Sequence, residues 1–176
     1  MRFVGTKVNG VYVIEIEKKE DERGFFARTF CQQEFEAHGL NPRTVQCSTS
    51  FNRKKGTLRG MHYQVAPHAE TKVVRCIAGA IYDVAVDLRP SSPTYKQWTA
   101  LELSGHNRLS IYIPAGCAHG FQTLADNTEV YYQISEFYHP ESARGVRWND
   151  PAFGIQWPYE ECRTLSERDG AYPDYA

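Results

Sequence analysis

Gly56-Thr57-Leu58-Arg59-Gly60-Met61-His62-Tyr63-Gln64 lies near the middle of a 176-residue chain, and it reads as a glycine turn leading into an extended, histidine-bearing run. Histidine is the one side chain whose unperturbed pKa lies near neutrality, so His62 is the first candidate for proton transfer. A lone histidine more often makes a structural hydrogen bond, so its neighbours have to decide its role.

Outward from His62 the chain reads as strands. Upstream, Val11 to Ile16 and Val45 to Phe51 are β-branched and aromatic-rich. Asp21 to Gly24 reads as a turn and Phe25 to Phe30 as an extended run. Gln32 to His38 reads as a short helix stopped by Gly39. Downstream, Val73 to Ile77 and Ile81 to Leu88 flank a tight turn at Gly79-Ala80. Trp98 to Leu103, Leu109 to Ile113, His119 to Leu124 and a long alternating run from Thr128 to Tyr138 follow. From His139 the chain is rich in loops, with Trp148 and Trp157 as apolar anchors and a short charged segment at Ser166 to Asp169. Many short strands with little helix predict an all-β closed barrel or double-sheet roll. Without linker, repeat or low-complexity tract, residues 1–176 read as one domain.

Bulk properties narrow the function. The net charge is −1 with histidine neutral, so no basic surface points to nucleic acid. No apolar run reaches the ~18 residues of a membrane span, and the N-terminus lacks the apolar core of a secretory signal. Cys31, Cys47, Cys76, Cys117 and Cys162 are odd in number, scattered and in no CxxC pair. That argues against a disulfide framework or a structural zinc site and favours a reducing cytoplasm.

A second histidine shares the context of the first. His119 ends Pro114-x-Gly116-x-x-His119, and His62 ends Gly56-x5-His62. The pair resembles the two half-motifs of the cupin superfamily, whose fold is a double-stranded β-helix or jelly-roll barrel. In metal-binding cupins a second histidine and a glutamate complete the first half. Here Gln64 replaces that histidine, and His68 and Glu70 follow at shifted spacing. A transition metal wants three or four N, O or S ligands, so no metal is expected. Both histidines are then free for acid–base work or substrate contact.

A base needs a partner that orients its ring, and Asp169, Asp150, Asp83 and Asp87 are all available. It also needs a group that returns a proton. Tyr132 shares a strand face with Val130 and Ile134, the more apolar and hence inward face. Lys72 shares parity with Val74 and Cys76, and an inward lysine is rare unless paired or functional. Strict alternation puts Arg59 and His62 on opposite faces unless Gly60 hosts a bulge.

Nearly the whole chain resembles the dTDP-4-dehydrorhamnose 3,5-epimerases, cofactor-free cupins of nucleotide-sugar biosynthesis. The matching runs are Asp21-x-Arg23-Gly24-x-Phe26, Gly56 to Gln64, Lys72, Asp83 to Arg89, Ser92-Pro93-Thr94, Ile113 to Phe121, Trp148 to Pro151 and Leu165 to Asp169. The resemblance implies a nucleotide-diphosphate-linked 4-keto-6-deoxyhexose substrate, epimerised at C3 and C5 next to the ketone, with no cofactor. It implies His62 as base oriented by Asp169, Tyr132 as the proton donor on the opposite face, and Lys72 as stabiliser of the enolate oxygen. Substrate contacts are implied at Gln46, Ser48, Arg59, His119 and Tyr138. Arg23 and Phe26 are implied to reach a neighbouring subunit's site, because family members are homodimers that exchange N-terminal strands. By the resemblance, residues 1–50 pair with the partner and residues 139–176 pack on the barrel.

Three positions depart from the family's usual residues: Arg28 and Ala143 stand where it carries Glu, and Ser48 where it carries Asn. The alternatives carried forward are a single-site epimerase acting on a CDP-linked or other nucleotide-linked keto sugar, a metal-dependent cupin enzyme, and a non-catalytic sugar-nucleotide binding protein.

Overall fold

Short runs of alternating polarity can each bury only one face, and two sheets stacked on those faces form the core. The computed structural model describes residues 1–160 and 164–175, so Cys162 lies outside the described residues. Thirteen strands and two short helices are defined among them. The strands are β1 (Arg2–Gly5), β2 (Tyr12–Glu15), β3 (Lys19–Asp21), β4 (Gly24–Phe26), β5 (Gln46–Asn52), β6 (Leu58–Gln64), β7 (Lys72–Ala78), β8 (Ala80–Asp87), β9 (Trp98–Ser104), β10 (Ser110–Ile113), β11 (Cys117–Thr123), β12 (Thr128–Ile134) and β13 (Ala143–Gly145). The helices are α1 (Gln32–Ala37) and α2 (Glu167–Gly170).

One sheet has the order β1-β2-β10-β7-β12-β5 and the other β13-β6-β11-β8-β9, with β3 and β4 apart as a hairpin. This is a cupin-like jelly roll. Val74, Cys76, Ile111, Ile113 and Val130 of the first sheet share one buried cluster with Ile81, Ala85, Leu103, Cys117 and Phe121 of the second. The outer face of the second sheet, with Met61, Val84, Val86 and Ala118, is covered by Val146, Phe153, Ile155 and Trp157 of the C-terminal loops. Asp150 ties that cover down, accepting from the Ala152 and Tyr175 amides at 2.8 and 2.6 Å. Helix α1 seals part of the first sheet's outer face with Phe35, against Ile14, Val73 and Tyr112. Burial pushes the Cys76 and Cys117 thiols up to about 11 and about 12, so both act as small core residues.

Three expectations need adjustment. Strands β7 and β8 do not form a hairpin but belong to different sheets, and the chain turns the corner at Gly79. Its φ is +72°, and a Cβ there would collide with Thr128. The extended run from Phe25 stops at Phe26. Strand β12 stops at Ile134 rather than Tyr138, because side chains take over the backbone donors that follow. The Phe137, Tyr138 and His139 amides donate to Glu136, Gln46 and Gln64 at 2.9, 2.7 and 2.7 Å.

Asp87 is structural. Its carboxylate accepts from Arg89 Nε at 2.8 Å, Ser92 Oγ at 2.5 Å and Thr94 Oγ1 at 2.7 Å, closing the β8–β9 loop. Burial favours the neutral acid, but these donors outweigh it and hold the pKa at about 2, against an ordinary 3.8. A carboxyl depressed on folding stabilises above its unfolded pKa and loses that contribution as pH falls through its folded one. About 2 kcal/mol of stability should therefore disappear between roughly pH 4 and pH 2. Urea unfolding at stepped pH should show Asp87→Asn less stable near neutrality with a shallower acid limb. An acid limb as steep as wild type would refute the assignment.

Candidate active site

A cavity of about 430 Å³ opens between the two sheets. The second sheet contributes Arg59 and His62 from β6 and His119 from β11. The first contributes Lys72 from β7, Tyr132 from β12, and Gln46 and Ser48 from β5. Tyr138, also expected from the sequence, and Ala143, one of the three departures from the family pattern, line it as well.

Arg59 and His62 share the cavity because β6 carries a bulge. The ladder pairs Phe121 with Arg59 and His119 with His62, so Gly60 and Met61 together face Gly120 alone. Leu58 and Met61 consequently share the outer cluster, three residues apart, while Arg59 and His62 both turn inward. Gly60 has φ +133°, and a Cβ there would sit 2.5 Å from Gly120 Cα.

His62 Nε2 lies 2.7 Å from Asp169 Oδ1. The other Asp169 oxygen accepts from the Gly60 amide at 3.2 Å, and Ser166 caps α2 by accepting from the Asp169 amide at 3.1 Å. Burial acts to raise the Asp169 pKa, but the His62 ring, with the Gly60 and Ser166 contacts, holds it below the usual range. An ionised carboxylate thus fixes the orientation of the imidazole. The His62 side chain is 40% exposed and that of Asp169 only 7%, so the ring faces the cavity while its partner is sealed behind it. Of the four aspartates open to the sequence reading, the geometry brings Asp169 to His62.

A second such pair faces the first. His119 is cross-strand from His62, and its Nε2 lies 2.8 Å from Asp83 Oδ2 on β8. Asp83 is fully buried. Burial raises its pKa, which the His119 ring opposes, and its Oδ1 has no hydrogen-bond partner among the described residues. The His119 and Tyr132 rings meet edge to face at 6.0 Å. Burial pushes the Tyr132 phenol far above its ordinary pKa, the Asp83 charge adds to this, and Arg59 opposes it. Tyr132 is therefore a protonated donor at any physiological pH.

Lys72 points inward, as its parity predicts. Its Nζ lies 2.9 Å from Glu70 and 3.2 Å from the His62 carbonyl. Its partner Glu70 was read from sequence only as a displaced metal ligand. Arg59 Nε donates to Asn52 Oδ1 at 2.7 Å, which steers the guanidinium along the wall. Gln64 turns away from the cavity chemistry: its amide binds the backbone of His68, Phe137 and His139. With Gln64 committed to backbone and Glu70 to Lys72, the donor set of a metal-binding cupin is not assembled around His62 and His119 among the described residues.

Arg23 and Phe26 are not brought to this cavity. They sit on the β3–β4 hairpin, where Arg23 pairs with Asp21 at 2.5 Å and Phe26 is 75% exposed. Arg28 is also outside it, ion-paired with Glu34. Sequence reasoning missed Tyr63, Arg144 and Arg168 among the lining residues and did not assign Asp83 to His119. For Asp83 a signal existed, since it shares the inward parity of Ile81 and Ala85 on β8.

Comparison with known proteins accords with this geometry. The family profile described as dTDP-4-dehydrorhamnose 3,5-epimerase matches residues 5–176. A protein of that name from Methanothermobacter thermautotrophicus is 46% identical over 170 residues, covering 96% of this chain and 91% of the relative. The crystal structure of dTDP-4-dehydrorhamnose 3,5-epimerase from Elizabethkingia anophelis superposes with a TM-score of 0.97 at 40% identity, covering 99% of this chain and 96% of that one. The dTDP-6-deoxy-D-glucose-3,5-epimerase of Legionella pneumophila, solved with dTDP-4-keto-L-rhamnose, superposes with a TM-score of 0.89 at 39% identity, covering 96% and 89%. By profile, identity and coverage, the chain belongs to the dTDP-4-dehydrorhamnose 3,5-epimerase family.

Proposed function

We infer that this chain is a cytoplasmic isomerase that inverts C3 and C5 of a dTDP-linked 4-keto-6-deoxyhexose, in the formation of the dTDP-rhamnose type of sugar nucleotide. The observation that carries the reading is His62, projecting from one sheet with Asp169 of α2 behind it, and a protonated tyrosine on the other sheet, both lining one cavity. The ketone acidifies the C–H bonds beside it. His62 removes one proton, with Asp169 holding the ring and stabilising the imidazolium. The electron pair moves onto the ketone oxygen, where Lys72 stabilises the enolate. Tyr132 then delivers a proton to the same carbon from the opposite face, which inverts it. Arg59 and His119, with Gln46, Ser48 and Tyr138, line the same cavity and would hold the sugar and its diphosphate; the planar fork of arginine suits phosphate.

Incubation with dTDP-4-keto-6-deoxyglucose in D₂O, followed by NMR, tests this. Deuterium should enter at both C3 and C5. Exchange at one carbon only would make the protein a single-site epimerase, and no exchange would leave it a binding protein. A CDP-linked substrate run in parallel should turn over more slowly, and faster turnover would overturn the choice of nucleotide.

The β3–β4 hairpin supports the assembly as a homodimer in which Arg23 and Phe26 complete the neighbouring site. It pairs with neither main sheet and presents Phe25 and Phe26 at 41% and 75% exposure. Light scattering should give twice the chain mass, and Phe26→Ser should raise KM more than it lowers kcat. A monomeric, fully active wild type would exclude this arrangement.

A further inference from the structure

The loop that carries Tyr138 over the cavity meets the β6–β7 loop at a cluster used by no step of the epimerisation. His68, Glu136 and His139 place one ligand atom each within 4.8 Å of one another. Glu141 stands at the rim, 3.1 Å from His139 Nδ1 and 4.0 Å from His68 Nε2. The backbone under both histidines is fixed by one side chain. Gln64, 2% exposed, donates to the His68 and Phe137 carbonyls, each at 3.0 Å, and accepts from the His139 amide at 2.7 Å. Such support from behind is what a metal site needs.

We propose that His68, Glu136 and His139, with Glu141, bind one divalent transition ion of the zinc type and thereby pin the loop bearing Tyr138. Two imidazole nitrogens and carboxylate oxygens suit zinc, whereas magnesium and calcium prefer oxygen alone. Each group has a counterpart that the ion would displace or complement. Glu136 is paired with Arg43 at 3.0 Å, and its carboxyl is held below the usual range first by the Phe137 amide and then by Arg43. The two histidine rings stack at 3.4 Å with 9° between their planes, so their lone pairs lie in two parallel planes. Binding requires one ring to rotate until the two lone pairs converge, and both side chains reach the surface, at 31% and 29% exposure. The inference does not rest on the epimerase reading, because the site lies outside the cavity and its test reads metal, not turnover.

Titration of the full chain with zinc chloride in chelator-free buffer, followed by calorimetry, should show one high-affinity equivalent per chain. His68→Gln/His139→Gln should weaken it at least about tenfold, since even outer-shell changes cost that much. His62→Ala should leave it unchanged, which separates this site from the cavity histidines. Zinc should also raise the thermal midpoint of wild type but not of the double variant, whose own melt reports that it is folded. Absence of binding, or an equivalent that survives in the double variant or is lost in His62→Ala, would overturn the assignment.

Discussion

Replacing His62 by alanine is expected to slow deuterium entry at C3 and C5 by ~10²–10⁴-fold, the usual contribution of a positioned base. The fold should survive. His62 is partly open to the cavity and sits at the inner rim of β6, whereas the β6 packing comes from Leu58 and Met61 on the opposite face. The loss should fall on kcat, because the sugar nucleotide is held by other groups. The removed imidazole also leaves Asp169 facing the cavity with only the Gly60 amide and its own cap, so an uncompensated carboxylate replaces a base. Exchange that persists at the wild-type rate with an intact thermal transition would move the base elsewhere, and His119 with Asp83 is the pair that geometry would then favour.

How far this site could be read before the structure depends on the range of each contact. His62 and His119 were legible because each ends a glycine-bearing turn within a few residues, and such local chemistry survives any tertiary arrangement. Tyr132 and Lys72 were legible through two-residue parity, which β12 and β7 obey. Asp169 lies 107 residues from His62, so spacing alone left four aspartates equivalent. Only the family resemblance selected it. The Asp83–His119 pair was missed for a related reason, since it depends on the β8–β11 register, which no local pattern encodes. The relation of Arg59 to His62 turned on one inserted residue. Alternation alone puts them on opposite faces, and the bulge at Gly60 reverses that. The same limit applies to the fold. The turn at Gly79 was visible, but not that it carries the chain from one sheet to the other. Beyond the end of β12, Gln46 and Gln64, side chains remote in sequence, capture the Tyr138 and His139 amides.

Tyr132→Phe should separate the two halves of the reaction. Inversion needs a base and an acid on opposite sides of one carbon, and a two-sheet roll supplies this by construction. His62 projects from β6 in one sheet and Tyr132 from β12 in the other, into the same space. With the phenol removed, His62 can still take a proton, exchange it with solvent and return it to the face it came from. The variant should therefore lose epimer formation by ~10²-fold or more while deuterium still enters with retained configuration. The substitution keeps the ring against His119 and the core residues around it, so binding and stability should change little. If exchange and epimerisation fall together by the same factor, Tyr132 acts in abstraction or in binding. If both continue at the wild-type rate, the second proton comes from another group. The high phenol pKa gives the experiment its direction. Burial and the Asp83 carboxylate keep the proton on Tyr132, which in the proposed mechanism makes the phenol the donor and the imidazole opposite the acceptor.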